Sequence, residues 1–165
     1  RILNEKTVEK IDQKSVKTEY GEFNLILYKD LIFDETHLVL QKGKISKNSP
    51  TLVRVQQSNF FHDLLNINEF GARWSVSDSM KKINDAGKGI ILLIDGVNKK
   101  QDEFYEINAS KKKRITAPNN DPRRIGIGSQ ILRDLGVQKI KLMGSEVRYP
   151  SLSGFDLEVT EYLKK

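Results

Sequence analysis

Cysteine is absent from all 165 residues. That absence excludes disulfides, thiol nucleophiles, iron–sulfur clusters and any zinc site built on thiolates. Imidazole is nearly absent too: only His37 and His62 occur, so a three-histidine metal centre is excluded. No apolar run approaches the roughly 18–20 residues that a membrane-spanning helix needs. The first residues, Arg1-Ile2-Leu3-Asn4-Glu5, lack the apolar segment of a secretory signal. A chain that starts on Arg is expected to be processed or cut from a longer polypeptide, and one without cysteine or signal is expected in the cytoplasm. What is present is a globular mixture, 38% hydrophobic and 30% charged. Its length suits one domain, on a prior of about 150 residues each. Lys and Arg number 28 against 22 Asp and Glu, a net charge of +6. The excess favours phosphate-bearing partners, weakly, because it is not gathered into one arm.

Hydrophobic spacing divides the chain. Residues 1–16 are polar and lysine-rich, with Leu3, Val8 and Ile11 among the few sizeable apolar groups up to position 14. They read as a linker or a fraying helix left by a preceding domain, with the domain proper over 17–165. Alternation over Phe23–Tyr28 predicts a strand, as do His37–Gln41 and Leu52–Gln56. With turn residues between them, these three are expected to form an antiparallel meander. Val76, Met80 and Ile83 then recur at helical spacing, with Ser75 or Ser77 as N-cap and Gly87 as stop. The uninterrupted run Gly89–Ile94 predicts a strand covered on both faces. Residues 98–124 carry no period and form either a functional loop or a degenerated one. A helix through Ile127, Ile131 and Leu135 stops at Gly136, and strands follow at 139–143 and 157–162. The expected fold class is α+β: a β-meander packed with a helix–strand layer around a mixed sheet.

The stretch from Asp121-Pro122-Arg123 through Gly126-Ile127-Gly128-Ser129-Gln130-Ile131-Leu132 to Leu135-Gly136-Val137 resembles a signature of the GTP cyclohydrolase II family. So do Tyr20-Gly21-Glu22-Phe23, Val53-Arg54-Val55 and Ala86-Gly87-Lys88-Gly89-Ile90, in the same order and spacing. Together they extend the resemblance over roughly 17–165. Order over such a length is far more specific than any short motif. The resemblance implies an enzyme of riboflavin synthesis that opens the imidazole ring of GTP, loses formate and releases pyrophosphate. It also implies a homodimer, and in many bacteria fusion behind a 3,4-dihydroxy-2-butanone 4-phosphate synthase.

In that family a zinc ion, held by three cysteines, activates the ring-opening water. The corresponding positions here are Asn59, Phe70 and Ala72. No zinc cofactor is therefore expected, and the domain is expected to be non-catalytic: a dimerising or regulatory appendage of the synthase half. Two remnants match the family pattern, Asp121 as the orienting carboxylate or base and Arg123 as the α-phosphate arginine. Arg148 is a further candidate nucleotide contact. Arginine forks suit phosphate oxygens, but a solvated Asp-Pro turn before a helix explains Asp121 and Arg123 as well. Two alternatives follow: zinc-independent cleavage of GTP to pyrophosphate through Arg123 and Asp121, or a nucleotide-sensing module.

The other candidates are weaker. Tyr105 lies in the region of the family's catalytic tyrosine without a secure match. His62-Asp63 reads as a surface pair. Gly126-Ile127-Gly128 could cradle a phosphate or simply allow close packing at a helix entrance. Lys111-Lys112-Lys113-Arg114 lacks the interleaved aromatics of a nucleic-acid site and reads as a solvated loop. Phe70 and Trp74 read as apolar packing in the place of the metal loop.

Overall fold

A computed structural model of the chain describes residues 6–32, 34–57, 74–94, 122–144 and 156–164, with residues 122–125 as helix backbone only. The elements are β1 (Val8–Thr18), β2 (Gly21–Asp30), β3 (Glu35–Lys42), β4 (Thr51–Gln57), α1 (Val76–Ala86), β5 (Gly89–Ile94), α2 (Pro122–Asp134), β6 (Lys139–Met143) and β7 (Glu158–Leu163). The strands form one sheet in the order β1-β2-β3-β5-β4-β6-β7. β1, β2, β3 and β5 pair antiparallel; β5, β4, β6 and β7 pair parallel. The expected α+β class with a mixed sheet is what the chain adopts.

Alternation along β5 explains how two helices share this sheet. Ile90, Leu92 and Ile94 face one core with Ile127, Ile131 and Leu132 of α2. Ile91 faces the other with Met80 and Ile83 of α1. A strand buried on both faces must sit mid-sheet under helices on each side. That requirement corrects the expected meander. The strand Leu52–Gln56 does not follow β3 in the sheet, because β5 lies between them; β4 carries apolar groups on both faces, Leu52 toward α1 and Val53 toward α2.

A second correction concerns the segment read as linker or fraying helix. Residues from Val8 onward form the edge strand β1, paired with β2 through a register shift between Lys10 and Asp12. Only Val8 is buried among its eleven residues. The charged side chains that hide a strand pattern are the ones that keep an exposed edge from pairing with another chain.

The helix boundaries follow local chemistry. Ser75, rather than Ser77, caps α1: its Oγ accepts from the Asp78 amide at 3.1 Å. Gly87 closes the helix in the left-handed region at φ 84, donating its N–H to Ile83 O. α2 starts at Pro122, earlier than the apolar period suggested, since proline's fixed φ suits a first helical position. The irregular stretch 98–124 therefore gives up its last three residues to α2. Gly126 and Gly128 lie inside this helix, not in a phosphate-binding turn before it, so their amides belong to the helical ladder. A Cβ on Gly128 would come 3.4 Å from Leu92. α2 thus packs against β5 at this position.

Candidate functional site

The parallel half of the sheet has a defined polarity. β4, β5 and β6 end at Gln57, Ile94 and Met143 on one common edge. In open α/β sheets, ligands bind outside the carboxyl ends of parallel strands. The sequence attaches nearly all its site candidates there. Asn59, Phe70 and Ala72 follow β4 in the chain, Asp121 precedes α2 after β5, and Arg148 follows β6. These five lie outside the described residues, as do His62, Asp63, Tyr105 and Lys111–Arg114. Arg123 sits in the first turn of α2.

Beneath this edge lies a charged residue that the motif Val53-Arg54-Val55 contains and to which the sequence assigned no role. Arg54 of β4 is 8% exposed, on the face that α1 covers. Its Nε donates to Gln56 Oε1 at 3.1 Å, its Nη1 to Met143 O at 3.1 Å and its Nη2 to Trp74 O at 2.9 Å. A buried guanidinium is costly unless its donors are matched. Here the match joins β4, the end of β6 and the entrance to α1. Trp74 extends the tie, donating Nε1–H to Leu163 O at 2.9 Å, and Gly144 N donates to the same carbonyl at 2.8 Å. Trp74 lies against the α1-side core. The signal for Arg54 was available, a cation inside the otherwise apolar run Leu52-Val53-Arg54-Val55.

A second polar tie fixes α2 on the meander. Tyr28, fully buried on β2, donates its hydroxyl to Asp134 Oδ2 at 2.6 Å, and Lys6 Nζ meets Asp134 Oδ1 at 2.7 Å. Burial, followed by the bond to Asp134, pushes the Tyr28 phenol above its usual range. Burial works against charge on Asp134 as well, yet hydrogen bonds from Lys6 and Tyr28 outweigh it and hold the carboxyl below its ordinary value. Both groups therefore stay in one protonation state near neutrality and serve as a latch, not as an acid–base pair. A shallow concavity lined by Ser15, Glu22, Phe23, Gln41 and Lys42 opens at the opposite edge of the sheet, where Lys42 pairs with Gly89 at the start of β5. It is remote from the strand ends that carry the family positions.

No helix among the described residues is long and apolar enough to cross a membrane. The profile of the GTP cyclohydrolase II family matches residues 9–164. A Pseudomonas aeruginosa protein named 3,4-dihydroxy-2-butanone 4-phosphate synthase is 41% identical, over 99% of this chain and 45% of its own length. The riboflavin biosynthesis protein RibBA of Parabacteroides distasonis is 31% identical, over 98% of this chain and 42% of its own. Among solved structures, RibBX, a two-domain 3,4-dihydroxy-2-butanone 4-phosphate synthase from A. baumannii, superposes with a TM-score of 0.68 at 33% identity, covering 98% of this chain and 42% of that one. The chain thus spans less than half the length of these relatives.

Proposed function

The chain belongs to the GTP cyclohydrolase II family, and we propose that it is a form of that domain which no longer opens the GTP ring and instead serves a 3,4-dihydroxy-2-butanone 4-phosphate synthase as a dimerising or regulatory appendage. One observation carries the reading: the chain has no cysteine. At the family's ligand positions stand a carboxamide, a phenyl ring and a methyl group, on Asn59, Phe70 and Ala72. A catalytic zinc needs three protein ligands and an open position for water. This donor set does not fit it, and no ring-opening step is derived through it.

Two further observations support the reading. The Pseudomonas aeruginosa and A. baumannii relatives carry the synthase name, and each has more than half of its length outside the match. Among the described residues, the strands that lead to the common edge are tied together, with Arg54 joining β4 to β6. A domain kept for its surfaces retains such a scaffold whether or not its chemistry survives.

The test uses the full-length polypeptide and GTP, with formate and pyrophosphate measured separately. Formate is expected to stay at the enzyme-free level. Deleting 17–165 is expected to lower synthase turnover or to dissociate the remaining half into monomers. Formate release, or unchanged turnover in a remaining half that still dimerises, overturns the proposal. Pyrophosphate release without formate, abolished in Arg123→Ala, would instead assign the residual activity through Asp121 and Arg123.

A further inference from the structure

We propose that Asp30, Glu35 and His37 form a binding site for a divalent transition-metal ion of the Mn2+ or Zn2+ class, at the end of the β2–β3 hairpin. The register of the hairpin builds it. Asp30 pairs with Glu35, and Tyr28 with His37. Because side chains alternate along a strand, Glu35 and His37 share a face, and cross-strand pairing adds Asp30 to it. That is the face whose core includes Tyr28 and Val8. One ligating atom from each of the three residues lies within 4.8 Å of the other two.

The burial is what points to a cation. Asp30 and His37 are each 1% exposed. Asp30 Oδ1 accepts from the Ile32 amide at 3.0 Å, which fixes the carboxylate, while its buried Oδ2 has no hydrogen-bond partner. A carboxylate oxygen removed from water with nothing to pair it is unfavourable, and a second carboxylate nearby adds repulsion. A divalent ion offsets both. Two carboxylates and one imidazole are a donor set for zinc or manganese, at distances of about 2.0–2.2 Å. The backbone is also suited to hold the site. Asp34 takes the left-handed conformation at φ 56 that reverses the chain, and Leu31 N donates to Thr7 O at 2.8 Å, tying the turn to the start of β1.

The site is independent of the proposed loss of the catalytic zinc: an ion here has no part in ring opening, so the formate assay and the metal titration fail separately. The full-length protein, stripped with chelator, is titrated with MnCl2 and followed by electron paramagnetic resonance, then with ZnCl2 in competition. One ion per chain is expected, with a melting temperature that rises with metal concentration. Glu35→Gln and His37→Gln should each weaken binding at least about tenfold, while His62→Gln leaves it unchanged. X-ray absorption of the zinc-loaded wild type should show oxygen and nitrogen neighbours with one imidazole, a readout that does not depend on any variant folding. The inference is overturned if neither ion binds at millimolar concentration. It is equally overturned if binding follows His62 rather than His37, or if the absorption spectrum shows no imidazole.

Discussion

Adding one methyl group at Gly89 should destabilise the domain through a single named contact. A Cβ there would lie 2.6 Å from Ile83 Cγ1, 2.9 Å from Cδ1 and 3.0 Å from Cγ2. Ile83 is fully buried, and branching at its Cβ leaves it little rotameric freedom to retreat. Gly89→Ala alone gains about 0.4–1 kcal/mol by restricting the unfolded chain. Overpacking costs about 1–3 kcal/mol. The clash should win, for a net loss of about 1–2 kcal/mol. Ile83→Ala removes all three contacting atoms and costs about 2–5 kcal/mol as a cavity. In that background Gly89→Ala should become neutral or stabilising, a coupling of about 1–3 kcal/mol. Urea unfolding, followed by fluorescence of the single tryptophan at the α1-side core, measures all four corners of the cycle. If the two substitutions prove additive, or if Gly89→Ala stabilises the wild type, the reasoning that α1 rides directly on the start of β5 fails.

The remaining predictions concern polar ties. Arg54→Lys keeps the charge but loses the fork that reaches Gln56, Met143 and Trp74, so about 2–4 kcal/mol of stability should go; a loss within about 0.5 kcal/mol in denaturant titration would show that the three bonds are not the tie between β4 and β6. Asp134 has a depressed folded-state pKa, so its contribution is present above the ordinary carboxylate value of about 3.9 and is lost as pH falls through the lower folded value. Asp134→Asn should therefore melt below wild type at neutral pH, with the gap closing below about pH 4; a gap that is flat from neutral pH to acid counts against the latch.

What the sequence disclosed depended on how local each signal was. The ends of α1 were legible because capping is chemistry within one turn: a serine oxygen on an amide three residues on, and a glycine with positive φ. β5 was legible because burial on both faces leaves an unbroken apolar run. β1 was not, since an edge strand with one deeply buried residue has no pattern to show. Where β4 sits was not either, because its partners, β5 and β6, come much later in the chain. The family positions were legible as residue types, and most of them fall outside the described residues. Asp30, Glu35 and His37 went unnoticed as a group because hairpin register brings them together. The parity of Glu35 and His37 was readable, but pairing with Asp30 required the turn.

The split of the sheet into an antiparallel and a parallel half separates local pairings from distant ones. β1, β2 and β3 close through Glu19–Tyr20 and residues 31–34, neighbours in the chain whose meeting costs little entropy. β4 can join β6 only after Thr51 finds Ile140 across most of the molecule, and such non-local pairings are slow to form. Topology thus favours the meander as the early template, with β4, β6 and β7 expected to pair onto it later.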